Sequence, residues 1–117
     1  LGTKELNKAL QEVLNPRVEG EPEKSNMGMI FRIGDRVMQI KNNYDITWER
    51  ESITGKKEFG SGVFNGEIGT ILKIKEREKL VKIQFDDEKI CWYEFENLDQ
   101  LEHSYSITIH KSQRKRI

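Results

Sequence analysis

Residues Gly62 to Ile71, GVFNGEIGTI, decide how the chain folds. Asn65-Gly66 is a strong short turn signal, since both residues tolerate positive φ, and it feeds Ile68, Thr70, Leu72 and Ile74, an every-second-residue stripe. A turn therefore delivers a half-buried strand. Gly62 and Gly69 add two positions where the backbone bends or approaches another backbone, as small curled sheets require.

The surrounding composition limits what such a sheet can belong to. A chain of 117 residues makes one domain, or one domain with loose ends, and buries a modest core. Hydrophobic residues are 35% and charged residues 34%, which predicts some poorly ordered segments. The 20 basic and 20 acidic side chains cancel, so any attraction for an anionic partner must be local. One cysteine, Cys91, excludes an internal disulfide, and with two distant histidines it cannot complete a tetrahedral zinc site. No apolar run approaches the roughly 20 residues of a membrane span, and the start has no signal-peptide pattern, so a cytoplasmic location without membrane contact is expected.

In residues 3–14, Leu6, Ala9, Leu10, Val13 and Leu14 fall on one face of an amphipathic helix, with Thr3 as N-cap, and Asn15-Pro16 stops it. Three turns of helix are marginal alone, so the apolar face needs a surface to lie on. Residues 17–28, rich in Glu, Gly and Pro, read as a flexible linker, and the domain boundary falls near Met29. Val37, Met38 and Ile40 make a first strand after the Gly34-Asp35 turn. Residues 46–61 read as a long loop in which Trp48 and Phe59 either pack back on the sheet or stack on a base.

The segment between Ile74 and Val81 reads as a charged hairpin leading into alternating Val81, Ile83 and Phe85. Lys89 to Tyr93 is a further strand, Phe95, Leu98 and Leu101 suit a short helical turn that plugs the sheet, and Tyr105 to His110 is the last strand. The fold class expected is mainly β: a small barrel of about five strands across residues 29–110, with an N-terminal helix and a short helical turn before the last strand.

Candidate chemistry is sparse. The only Gly-Lys pair, Gly55-Lys56, has no glycine five residues before it and is followed by Lys57, so no phosphate-binding loop is present. Asp86, Asp87 and Glu88 at a turn read as solvated charge. No metal site and no catalytic residue is expected; a hydrolase using His110 and Ser112 would need an orienting carboxylate and an oxyanion hole that nothing advertises. Beside the GVFNG turn, Lys41, Asn42, Asn43 and Tyr44 form a polar lip where a DNA strand could rest, or where the asparagines bond the loops together. Thr108, His110, Lys111, Ser112 and Gln113 bring hydroxyl, imidazole, ammonium and amide groups to a strand end, ahead of Arg114, Lys115 and Arg116. Such groups suit phosphate oxygens.

Four segments, LNKALQEVLNP at Leu6 to Pro16, FRIGDRVMQIKNNYD at Phe31 to Asp45, GVFNGEIG at Gly62 to Gly69 and LDQLEHSYSITIHKSQ at Leu98 to Gln113, together resemble one family. It is the RecD/TraA branch of superfamily 1 DNA helicases, also described as exodeoxyribonuclease V alpha-subunit-like. The resemblance implies a fragment: an SH3-like 2B barrel inserted into a motor domain, with residues 1–16 a helix of that motor and 111–117 the start of motif V and a basic tail. It implies a parent that hydrolyses ATP with magnesium, moves 5′ to 3′ on single-stranded DNA and serves recombination and repair, while the fragment itself holds no cofactor and is no enzyme. It places Thr108 and His110 near the DNA backbone and has Lys111, Ser112 and Gln113 connect the DNA path to the nucleotide cleft. The family continues with Gly-Ser-Glu where this chain has Arg114-Lys115-Arg116, a departure at the expected nucleotide contact that points to a truncated or altered end. The alternative is a free-standing SH3-like module that binds peptide or nucleic acid through Trp48, Trp92 and Tyr44. Residues 29–101 carry 12 basic and 14 acidic side chains, so DNA binding by the barrel requires a local basic patch.

Overall fold

Alternation of apolar and polar residues along most of the chain yields strands. A computed structural model describes residues 2–107, and among these the order is α1 (Thr3–Leu14), β1 (Glu23–Asn26), β2 (Met29–Arg32), β3 (Arg36–Gln39), β4 (Asn43–Glu51), β5 (Lys57–Val63), β6 (Ile68–Lys75), β7 (Leu80–Phe85), β8 (Ile90–Glu94), a 3-10 helix (Phe95–Gln100) and β9 (Leu101–His103). The fold is mainly β, as expected, but with nine strands where about five were anticipated. β1 and β2 form a hairpin, and the other seven make one antiparallel sheet in the order β5-β4-β8-β7-β6-β3-β9.

The sheet curls because its strands carry bulges and glycines at the bends. Ile71 pairs with Ile83 and Lys73 with Lys82, leaving Leu72 as an extra residue. The bulge breaks the alternation of the expected stripe: Ile68 and Ile74 are buried as expected, but Thr70 and Leu72 are only half-buried and Ile71 is buried between them. Gly69 faces Phe85 so closely that a Cβ there would stand 2.7 Å from the Gln84 carbonyl. The enclosed core joins Phe31, Val37, Val63, Val81, Ile83, Phe85, Cys91 and Tyr93 with Leu98 of the 3-10 helix and Leu101 of β9. The helical turn therefore plugs the sheet, as the sequence indicates. Tyr93 is fully buried and satisfies its hydroxyl by donating to Gln39 Oε1 at 2.7 Å.

Three segments differ from expectation. Residues 46–61 are not a long loop but most of the β4–β5 hairpin, in which Glu49 pairs with Phe59 and Arg50 with Glu58. Charges on both faces of an edge ribbon hide its alternation. Residues 23–28, expected within a flexible linker, form β1 and the turn into β2, which moves the first strand ahead of Met29. The polar strand is held from outside: Glu23 binds the Arg32 and Arg17 guanidinium groups. Finally, residues 105–107 are helical and not part of a last strand. The Asn65-Gly66 turn is present, with positive φ only at Gly66 and Glu67 N–H donating to the Phe64 carbonyl, but it joins two strands that are not neighbours in the sheet. Among the described residues no helix is long and apolar enough to cross a membrane.

Candidate functional site

Gly34, at φ 92°, lets the chain turn tightly between β2 and β3, with Asp35 N–H donating to the Arg32 carbonyl. The turn delivers the Asp35 carboxylate, completely buried, into the seam between the sheet and α1. Five donors converge on it. Oδ2 accepts from the Arg32 backbone N–H at 2.7 Å, Gln11 Nε2 at 2.9 Å and His103 Nε2 at 3.1 Å. Oδ1 accepts from Tyr105 Oη at 2.6 Å and Asn15 Nδ2 at 2.7 Å. Burial alone would raise the pKa of this carboxyl, but the hydrogen bonds from His103, Tyr105, Asn15 and the Arg32 N–H outweigh it and hold the pKa below its ordinary value. A buried charge survives here because every lone pair is used.

The same seam turns α1 over. Asn7, Gln11 and Asn15, spaced i, i+4 and i+8, lie on one side of the helix and face the sheet. Asn7 Nδ2 donates to the His103 carbonyl at 2.8 Å and its Oδ1 accepts from Ser106 N–H at 3.0 Å. Gln11 also reaches the Ile30 carbonyl at 2.7 Å, and Asn15 the Ile33 carbonyl at 3.0 Å. Arg32, nearly buried, bonds Glu12, Glu23 and the Asn15 carbonyl, closing the C-terminal end of the helix. Of the apolar residues Leu10 is half-buried, but the others are left outside: Leu6 is 40% exposed, Val13 76% and Leu14 56%. The helix expected to lie on its apolar face lies on its polar one. Its N-cap is Gly2, with no side-chain cap, and Thr3 is already helical.

At the lip, Asn43 is a strut: Nδ2 donates to Gln100 Oε1 at 3.0 Å, and that oxygen also accepts from Gln39, which holds Tyr93. Asn42 Oδ1 accepts from the Asn65 backbone N–H at 2.9 Å, so the asparagines bond the loops together. Lys41 is exposed, and Tyr44, 68% exposed, meets Phe64 edge-on with ring centroids 5.2 Å apart. Trp48 packs against the core and over Gly60, far enough inward that a Cβ on that glycine would overlap its ring. Thr108, His110, Lys111, Ser112 and Gln113 lie outside the described residues.

Sequence reasoning missed the Asp35 seam. Asp35 reads as a turn residue, and its partners come from both ends of the described chain. The usable signal was the Asn7, Gln11, Asn15 stripe, polar residues repeating at helical spacing opposite an apolar face.

Comparison with known proteins bears on this arrangement. The chain is 33% identical over 88 residues to the uncharacterized protein MJ1519 of Methanocaldococcus jannaschii, an alignment that covers 70% of this chain and 7% of that protein. This chain thus spans a small part of that relative's length. No solved structure matches it. A family model described as the ATP-dependent RecD-like DNA helicase SH3 domain matches residues 6–85, from within α1 to the end of β7. The chain belongs to the family of SH3 domains of ATP-dependent RecD-like DNA helicases.

Proposed function

We propose that this chain is the accessory SH3-like domain of a longer ATP-driven DNA helicase and that it seats on the rest of that protein through the outward apolar face of α1. The observation that carries the reading is the inverted helix. Its polar stripe is fully engaged at Asp35, while Leu6, Val13 and Leu14 stand in solvent where a stable monomer would gain by burying them. The match of most of this chain to a small fraction of a much longer relative supports, as the occupant, the remainder of a parent polypeptide.

In this reading the domain has no phosphate-binding loop, and ATP and magnesium act in the parent's motor. The domain guides or clamps single-stranded DNA, or transmits the motor's movement through its seat. Replacing Val13 and Leu14 by glutamate in the parent helicase tests it. Unwinding should fall about tenfold, while the melting temperature of the 117-residue chain carrying the same changes stays within about 2 °C. Unchanged unwinding would refute the seating.

A further inference from the structure

The outer face of the sheet carries a second feature that the seam does not use. Trp48 pairs with the buried Cys91, so the neighbouring Trp92 falls on the opposite, outward face and is 39% exposed. Lys82 pairs directly with Trp92, and Lys73 directly with Lys82. Lys75 stands two residues further along β6 on the same face as Lys73. Lys75 Nζ lies 4.8 Å from the Trp92 ring centroid and Lys82 Nζ 5.6 Å from it. Among the described residues none of these three lysines meets a carboxylate. By contrast Lys57 pairs with Glu49, and Lys89 with Glu67 and Asp87. Two like charges placed directly across a ladder repel. The other direction along the sheet is apolar: Ile90 pairs with Glu49, and Glu49 with Phe59, which is 73% exposed. Ile90, Trp92, Phe59 and Thr47 line one shallow depression there.

We infer that this face binds a single strand of DNA, with Trp92 as the stacking platform for a base and Lys73, Lys75 and Lys82 as the contacts to its phosphates. Aromatic rings beside cations that no carboxylate pairs are what a single strand requires, since every base has a π-face and every linkage a negative charge. Phosphate oxygens would relieve the Lys73–Lys82 repulsion that the protein leaves in place. Glu49 and Glu94 also stand on this face; Glu49 is paired with Lys57, and Glu94, in line with Leu80 and Lys75, offsets one of the three lysine charges and leaves that end positive. One strand, β4, lies between those of Phe59 and Trp92, two strand spacings or about 10 Å across the sheet, room for a second base beside the first. The choice of DNA as ligand rests on the helicase reading above.

Fluorescence anisotropy of a labelled oligothymidylate of about 12 nucleotides, titrated with the 117-residue chain at low salt, tests the site. Binding should appear with quenching of tryptophan emission, and K73Q/K82Q should weaken it about tenfold and flatten the log–log salt dependence by about 1.4, two contacts at roughly 0.7 each. Trp92→Thr should weaken it about tenfold and Trp92→Phe much less. Thermal melts of each variant separate lost binding from lost fold, and a variant that melts early is replaced by Lys75→Gln, which is fully outside the core. Absent binding by the unaltered chain, binding indifferent to these changes, or a tryptophan response to a proline-rich peptide in place of the oligonucleotide would each overturn the proposal. None of these results touches the seating of α1, which is read from Val13 and Leu14.

Discussion

The Tyr105 hydroxyl donates to the Asp35 carboxylate at 2.6 Å, joining the residues that follow the last described strand to the turn that begins the barrel's first. Removing that one donor, as Tyr105→Phe, leaves four others on the carboxylate and should cost about 1.5–3 kcal/mol of unfolding free energy. Asp35→Leu strands the side chains of Gln11, Asn15, His103 and Tyr105 at once and should cost about 3–5 kcal/mol. Urea denaturation of both variants checks the order. Equal losses would mean that the carboxylate is not the centre of the network.

Acid should unlatch the same seam. The folded pKa of Asp35 lies below its unfolded value of 3.8, so its contribution is fully present above that value and is lost as the pH falls through the folded one. Melting temperature followed from about pH 6 to pH 2 should drop most steeply below 3.8. In Asp35→Asn the curve starts lower and that steep limb is reduced.

The inverted helix reverses the usual effect of substitutions on stability. Gln11→Ala, a polar change on the docked side, should destabilise the chain by about 1–3 kcal/mol, because the Ile30 carbonyl and Asp35 each lose a donor. Val13→Gln on the exposed side should change it by less than about 0.5 kcal/mol. A helix packed on its apolar face would give the opposite ranking in the same chemical-denaturation measurement.

The β1–β2 turn holds an improvable residue. Met27 at φ 50° and Gly28 at φ 82° make a two-residue turn with both central residues left-handed, a conformation that asparagine tolerates better than methionine. Met27→Asn should raise stability by about 0.5–1 kcal/mol, seen as a higher urea midpoint with an unchanged slope.

Gly69 is needed for closeness and not for its dihedral angles. A Cβ there would meet the Gln84 carbonyl at 2.7 Å and Phe85 Cα at 3.0 Å, and backbone cannot step aside as a side-chain tip can. Gly69→Ala should cost about 1–3 kcal/mol. Gly55→Ala, where nothing lies within 4 Å, carries only the strain of its positive φ and serves as the comparison.

Local rules reached the elements whose signals are local. The helix of residues 3–14, the Asn65-Gly66 turn, the charged β6–β7 hairpin, the strand around Cys91 and the helical plug at Leu98 all follow from spacing and turn chemistry. What stayed hidden depends on partners distant in sequence. β1 is polar and is a strand because Arg32 grips Glu23 and β2 pairs beside it. Asn7, Gln11 and Asn15 look like a solvent-facing stripe until Asp35, His103 and Ser106 are brought beneath them. The outward placement of Trp92 needed the register of β4 on β8, which no run of residues encodes by itself.

The paired bonds of Asn7 to His103 and Ser106 clasp α1 to the far end of the described chain. Segments 96 and 99 positions apart in sequence are thereby held at one place, so that loosening either of them frees the other.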